Sequence, residues 1–296
     1  MANLKEIKNR IATVASTEQT TSAMKMISAS KLRKVQTVLQ SLRPYSQKLH
    51  SAVLHTVQDG DTISHSEFLQ PRKVERVLLM VVTSNSGLCG AFNTLALKSA
   101  LYHIRSYYLT NPDIKEISIM CFGKKAVEFF AKHDYKVVAN HIDFMNHLNR
   151  ETCNTLAEDL LKAYKDGTYD LIDLVSNVFV NAGNYQTAVF QKLPYNIEET
   201  VPVQHPTHDH YIYEPHKSHV IQTMVPMSFK ARLYLRFADS LAAEYAARMT
   251  AMHKATENAV QLQKELKLRY NKARQAAITN EIIEIINSAN ALNAVK

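Results

Sequence analysis

Residues 241–292 read LAAEYAARMTAMHKATENAVQLQKELKLRYNKARQAAITNEIIEIINSANAL, and no glycine or proline interrupts them. Leu241, Tyr245, Met249, Met252, Ala255, Ala259, Leu262, Leu266, Tyr270, Ala273 and Ala277 recur at three-four spacing, and Ile278, Ile282, Ile285, Ala289 and Leu292 continue on a neighbouring frame. The spacing predicts one helix of about 65 residues, roughly 100 Å at 1.5 Å per residue. Pro226 marks its first turn, or a kink inside a helix that starts near His216. A helix that long exceeds the width of a compact domain, so it needs a lengthwise partner.

The opening segment supplies one. Leu4, Ile7, Ile11 and Val14 share a heptad frame with Leu32, Val35, Leu39 and Leu42, while Glu18, Thr21, Lys25 and Ser28 occupy the same frame between them. The stripe is therefore apolar at both ends and polar or small at its centre, with Met24 and Ile27 beside it. With Pro44 tolerated as a kink, this helix extends to residue 57. Because the two segments flank an intact middle, an antiparallel pair is the economical arrangement, and the alanines of the second helix allow close approach.

Between them the pattern alternates. Val74–Val82 reads as a buried strand, Ala91–Tyr108 as a helix, Ile117–Phe122 as a strand and Lys124–His133 as a helix. A short strand at Tyr135–Ala139, a helix at Arg150–Lys165 and strands at Leu171–Val180 and Thr187–Ile197 follow, the last without a crossover. Such alternation predicts an open, mostly parallel α/β sheet. Glu198–Pro215, with three prolines, reads as a loop. The expected organisation is an N-terminal helix over 1–57, an α/β domain over 72–200 and a C-terminal helix over 216–296.

Composition narrows the function. The 296 residues are 46% apolar and 21% charged, with no run approaching the roughly 18 apolar residues of a membrane span. The first residues lack an apolar signal core or an Arg-rich transit pattern, so the chain is expected to be mature from its start and neither secreted nor imported. Cys89, Cys121 and Cys153 are odd in number and lack CxxC spacing, which argues for a reducing compartment and against a disulfide framework or zinc site. Residues 1–56 carry nine Lys/Arg against two Asp/Glu, 216–296 carry twelve against six, and the middle is mildly acidic. Basic terminal helices allow a nucleic-acid-binding coiled coil, although their basic stretches hold almost no aromatic residues and Lys25, Lys31, Arg33 and Lys34 adjoin the seam.

Two motifs invite chemistry. Ser84-Asn85-Ser86-Gly87-Leu88-Cys89-Gly90-Ala91-Phe92-Asn93 follows the first strand and opens a helix, where dinucleotide folds cradle phosphate. A nucleotide-binding enzyme would use this loop, but the spacing is G-x-x-G, no Lys-Ser/Thr follows, and no acidic residue ends the second strand. A tight strand-to-helix turn is the simpler reading. His205, His208, His210, His216 and His219, with Asp209, bunch near the second long helix. Without helical i, i+4 spacing among the first of them, a solvated linker is favoured over a metal site.

At three places the chain resembles the γ subunit of F-type ATP synthases, of bacterial type. The first is Ile7-Lys8-Asn9-Arg10-Ile11 with the stretch Thr20–Gln36, TTSAMKMISASKLRKVQ; the second is Gly87-Leu88-Cys89-Gly90 with Asn93; the third spans Ala247-Arg248-Met249, Ala251-Met252, Ala255–Ala259 and Tyr270–Glu281. The resemblance implies an antiparallel coiled coil inside a ring of three α and three β subunits, with a Rossmann-like domain beside it. It implies a rotary shaft carrying rotation of the membrane c ring to the catalytic β subunits during proton transport and ATP synthesis, or the reverse on hydrolysis. Such a subunit has no catalytic, cofactor-binding or metal site of its own.

By the same resemblance, Arg274 and Gln275 match positions that hydrogen-bond a catch loop of β, Thr279 and Glu281 match positions where both helices meet β, and Met24 and Lys25 match a region tied to coupling. Gly87, Leu88, Cys89 and Gly90 match a turn facing an acidic segment of β. Tyr211 and Tyr213, in Tyr211-Ile212-Tyr213-Glu214-Pro215, match the foot seated on the c ring beside ε. Asn85-Ser86 stand where the family more often has an acidic-basic pair, and Asn280 replaces a common Gln. Implied partners are α, β, ε and the c ring, not nucleic acid. The implied location is the cytoplasmic side of the bacterial inner membrane, peripherally, through the complex. Without paired cysteines in 190–215, thiol regulation of the chloroplast kind is not expected.

Overall fold

A computed structural model describes residues 2–57, 66–133, 135–196 and 213–294. Helix α1 spans Ala2–Val57 and α5 spans Lys217–Ala294, 56 and 78 residues. Between them run β1 (Arg76–Val82), α2 (Phe92–His103), β2 (Glu116–Phe122), α3 (Lys124–Phe130), β3 (Lys136–His141), α4 (Arg150–Lys165), β4 (Leu171–Asn181) and β5 (Asn184–Leu193). Both prolines lie inside their helices, Pro44 in α1 and Pro226 in α5. Interior proline forfeits a backbone hydrogen bond, and here packing outweighs the loss: Val225 and Phe229, on either side of Pro226, are fully buried.

The chain divides into two compact units, Met1–Ile27 with Met249–Lys296, and Ser28–Arg248. In the first, Thr21 meets Thr256 hydroxyl to hydroxyl at 2.8 Å, and Lys25 Nζ lies 3.1 Å from His253 Nδ1. Partners descend along α5 as they ascend α1, so the pair is antiparallel. Every described α1 position of the predicted frame from Leu4 to Lys25 is at least half-buried. On α5 the frame holds at Met252, Ala255, Ala259, Leu266, Tyr270, Ala273 and Ala277, with one correction: Leu262 is exposed and Gln263 takes the seam. By the register Thr21 to Thr256, α1 begins opposite the 270s. Beyond Ala277 the helix has no α1 surface to cover, and Ile278, Ile282, Ile283, Ile285 and Ile286 are exposed.

In the second unit the strands order β3-β2-β1-β4-β5, parallel except for the antiparallel β4–β5 hairpin. Alternation sorts the side chains onto two faces. Val77, Leu79 and Val81 pack with Ala100, Ile104, Ala126 and Phe130 from the α2 and α3 side. Leu78, Met80 and Val82 pack with Leu160 and Tyr164 of α4, with Val53 and Val57 of α1, and with Ile221, Val225, Phe229, Leu233 and Phe237 of α5. The long helices thus complete the second cover of the sheet, because α4 alone supplies one helix for five strands. The predicted helix 91–108 is in fact α2 followed by a π-helical turn, Ile104–Tyr108. There Asp173 of β4 accepts hydrogen bonds from Tyr108 Oη at 2.5 Å and pairs with His103 Nε2 at 2.9 Å.

Candidate functional site

The β1–α2 turn is built from its own polar side chains. Asn93 Oδ1 accepts from Ser84 N at 2.9 Å, and Asn93 Nδ2 donates to Ser84 Oγ at 2.8 Å and to Cys89 Sγ at 3.2 Å. Ser84 Oγ in turn donates to Ser86 O at 2.6 Å. Cys89 and Phe92 are buried beneath, while Leu88 projects outward, 62% exposed, with φ of 62°. A side chain in that left-handed conformation costs about 1–2 kcal/mol, so the surrounding bonds hold Leu88 against a local preference. Gly90, with φ of 58°, lets the chain reverse into α2 at no such cost. No side chain caps α2 at Ala91.

The turn is also anchored to its surroundings. Asn85 Oδ1 accepts from Lys124 N at 2.9 Å, at the start of α3, and Asn85 Nδ2 donates to Ile142 O at 2.8 Å, just after β3. Arg248 Nη2 donates to Ser86 Oγ at 3.0 Å and Ser86 O at 3.3 Å, while its Nη1 pairs with Glu244 at 2.6 Å. Burial raises the Glu244 carboxyl above its ordinary range, opposed by the Arg248 charge. Sequence reading misses this arrangement: the available signal is the i, i+4 pair Glu244–Arg248 next to the apolar frame, and its Ser86 partner is 162 residues away.

Arg274, Gln275, Thr279 and Glu281 lie exposed on α5, where Thr279 Oγ1 donates to Gln275 O at 2.9 Å. Met24 and Lys25 are half-buried on α1, and Lys25 faces His253. His253 precedes Arg274 by 21 positions, about 30 Å along a helix. The candidate residues of the helix pair therefore form two separate sets, one at each level. Tyr213 precedes α5, and Lys217 Nζ stands 5.6 Å over its ring; Tyr211 lies outside the described residues, as do His205, His208, Asp209 and His210. The His216 and His219 rings are 6.2 Å apart, and no metal-binding group of three or more ligands occurs among the described residues. Burial pushes the Cys121 and Cys153 thiols up to about 12, which suits packing and not nucleophilic attack.

These features define a class: a chain whose two terminal segments form an antiparallel helix pair and whose intervening sequence forms an α/β layer. A family model described as ATP synthase matches residues 3–292. ATP synthase gamma chains of Christiangramia forsetii and Flavobacterium johnsoniae are each 43% identical, the alignments covering 99% of this chain and 100% of the relative, and that of Geobacter metallireducens is 38% identical over 99% of both. The chain belongs to the ATP synthase gamma chain family. Among solved structures, a chain of the Euglena gracilis mitochondrial ATP synthase OSCP/F1/c-ring assembly in rotational state 3 superposes with a TM-score of 0.68 at 21% identity, covering 99% of this chain and 95% of that one. A chain of the rotor from the same organism gives 0.62 at 19% identity, covering 94% and 99%. These two likenesses carry the fold. The nucleotide-binding enzyme and the nucleic-acid-binding coiled coil are not favoured.

Proposed function

We infer that this chain is the central rotary shaft of a proton-translocating F-type ATP synthase, transmitting rotation of the membrane c ring to the catalytic β subunits. The observation that carries the reading is the antiparallel helix pair of a chain matched end to end by gamma chains. Its seam is stocked with Thr21, Thr256 and alanines, and its α5 end leaves Arg274, Gln275, Thr279, Glu281 and a row of isoleucines uncovered. An uncovered apolar and polar helix end suits a bearing surface supplied by other subunits. Each proton crossing 100 mV supplies about 2.3 kcal/mol, so several must be pooled per ATP, which makes stiffness of the helix pair a functional property.

In this reading Arg274 and Gln275 hydrogen-bond a loop of β, and Thr279 and Glu281 join that contact. Met24 and Lys25 influence coupling from a second level. The Gly87–Gly90 turn meets β, and Tyr211 and Tyr213 belong to the foot on the c ring beside ε. The segments 1–57, 72–200 and 216–296 act as shaft helix, α/β body and shaft helix. Among the described residues no helix is long and apolar enough to cross a membrane, and association is peripheral, on the cytoplasmic side of a bacterial inner membrane. The test is to tag the chain in its host and solubilise membranes gently. Arrival of α, β and ε with ATP-hydrolysing activity supports the shaft; arrival alone, or with nucleic acid, refutes it.

A further inference from the structure

The two residues entering the β1–α2 turn, Asn85 and Ser86, both direct their side chains to structural neighbours. Asn85 bridges the start of α3 and the end of β3 through Lys124 N and Ile142 O. Ser86 receives the Arg248 guanidinium at both its hydroxyl and its carbonyl. That guanidinium is fixed from behind: Arg248 and Glu244 are each only 8% exposed and pair at 2.6 Å. Beneath the turn Asn93 holds Ser84 and Cys89. A loop that only joined a strand to a helix would need none of this bracing. What the bracing secures is Leu88, the largest exposed side chain of the turn and the one non-glycine residue with positive φ among the described residues.

We propose that Ser86 is a positioning residue of rotary coupling: through it, Arg248 fastens the turn to α5, so that Leu88 is held at a fixed place for contact with the catalytic ring. The proposal rests on the shaft reading. Arg248 lies in the same compact unit as the turn, so the fastening ties the turn to the stretch of α5 that takes up any twist of that helix. Asn85 provides the matching anchor to α3 and β3. A turn held on both sides moves with α5, whereas a loose one absorbs the twist.

The test uses the full chain and the assembled holoenzyme with Ser86→Ala, Ser86→Thr and Leu88→Ala. Loss of a hydrogen bond to a charged donor should speed amide exchange at Ser84 and Phe92, whose N–H groups donate within the turn, about tenfold or more in Ser86→Ala. In the holoenzyme the same variant should pump roughly half as many protons per ATP hydrolysed, or fewer, at unchanged KM for ATP, because ATP-binding groups are untouched. Ser86→Thr, which keeps the hydroxyl, should restore both, and Leu88→Ala should lose pumping while keeping the slow exchange of the parent. Wild-type exchange in Ser86→Ala, or fast exchange with full coupling, overturns the proposal. A parent chain that assembles with no α or β sinks the shaft reading instead, and the exchange measurement then judges the fastening by itself.

Discussion

Substitution of Gly123 by alanine isolates a close approach on which the turn depends. Gly123 joins β2 to α3 with φ of 94°, and a Cβ added there would stand 2.2 Å from Thr83 O and 2.7 Å from Thr83 C. The obstacle cannot swing aside. Thr83 N donates to Phe122 O at 2.8 Å, and Thr83 Oγ1 donates to the same oxygen at 3.1 Å and accepts from Ala126 N at 2.9 Å. The left-handed backbone costs an alanine about 1–2 kcal/mol, and forcing backbone apart in a packed interior about 1–3 more. We expect Gly123→Ala to lose about 2–5 kcal/mol, a large share of the 5–15 kcal/mol typical of a folded protein.

Two companion substitutions separate the causes. At Gly90, φ is 58° but no atom lies within 4 Å of the added Cβ, so the conformational cost of about 1–2 kcal/mol stands alone. At Gly87 the space is equally open and φ is not in the left-handed region, so alanine there should be neutral or stabilise by up to about 1 kcal/mol through the unfolded chain. Urea unfolding of the three variants, followed by circular dichroism at matched m-values, gives the ranking. If Gly123→Ala is no worse than Gly90→Ala, the close approach to Thr83 is not what requires glycine, and the reasoning fails.

Other consequences are equally specific. Burial holds the His141 imidazole below its ordinary 6.5, only partly opposed by Asp159; the unfolded chain then takes up the proton first, so stability present above pH 6.5 declines as pH falls towards the folded-state pKa. His141→Phe, which retains a ring for the stack 5.1 Å from Phe122, should remove that decline, and equal losses of Tm between pH 7.5 and 5.5 in both proteins would contradict it. In the helix pair, a double-mutant cycle of Thr21→Val and Thr256→Val should give a coupling of about 0.5–1 kcal/mol in thermal unfolding for the 2.8 Å hydroxyl contact; a coupling near zero would mean the hydroxyls serve spacing alone. Arg43→Ala should cost about 2–4 kcal/mol in urea unfolding, since it leaves the buried Asp239 carboxylate without the partner now 2.7 Å away. A cost below half a kilocalorie would show that Arg236, 4.0 Å from the same carboxylate, suffices.

Legibility in sequence followed the physical range of each signal. Helix periodicity is local and repeated many times, so α4 has both expected ends, Arg150 and Lys165. The π-helical turn after His103 was not legible, because the partner that His103 and Tyr108 share around it, Asp173, lies about 70 residues further on. Leu262 sits on an ideal heptad frame yet faces outward, with Gln263 in its place, while the frame resumes at Leu266, so the departure is local and the spacing does not announce it. Gly87, Leu88, Cys89 and Gly90 announce a strand-to-helix turn, but nothing local says that Ser86 belongs to Arg248. The part α1 and α5 take in covering the sheet was also hidden, because their heptad frames describe a helix pair while Phe229, Leu233 and Phe237 serve the strands.

That shared cover has a consequence for synthesis. Val53 and Val57 lie against Ile221 and Val225 in one cluster, so more than 160 residues must leave the ribosome between the first half of this face and the second. At about 5–20 residues per second the nascent chain carries strands with one side unroofed for roughly 10 to 30 s, exposing Leu78, Met80, Val82, Ile172 and Leu174 to whatever surrounds the ribosome. Contacts this distant in sequence also slow closure itself. The body of this protein is therefore not an autonomous insert that folds first and waits for its helices. It becomes a finished layer only when the last helix arrives, and a chain truncated before residue 217 should be a client for chaperones and proteases, not a smaller folded domain.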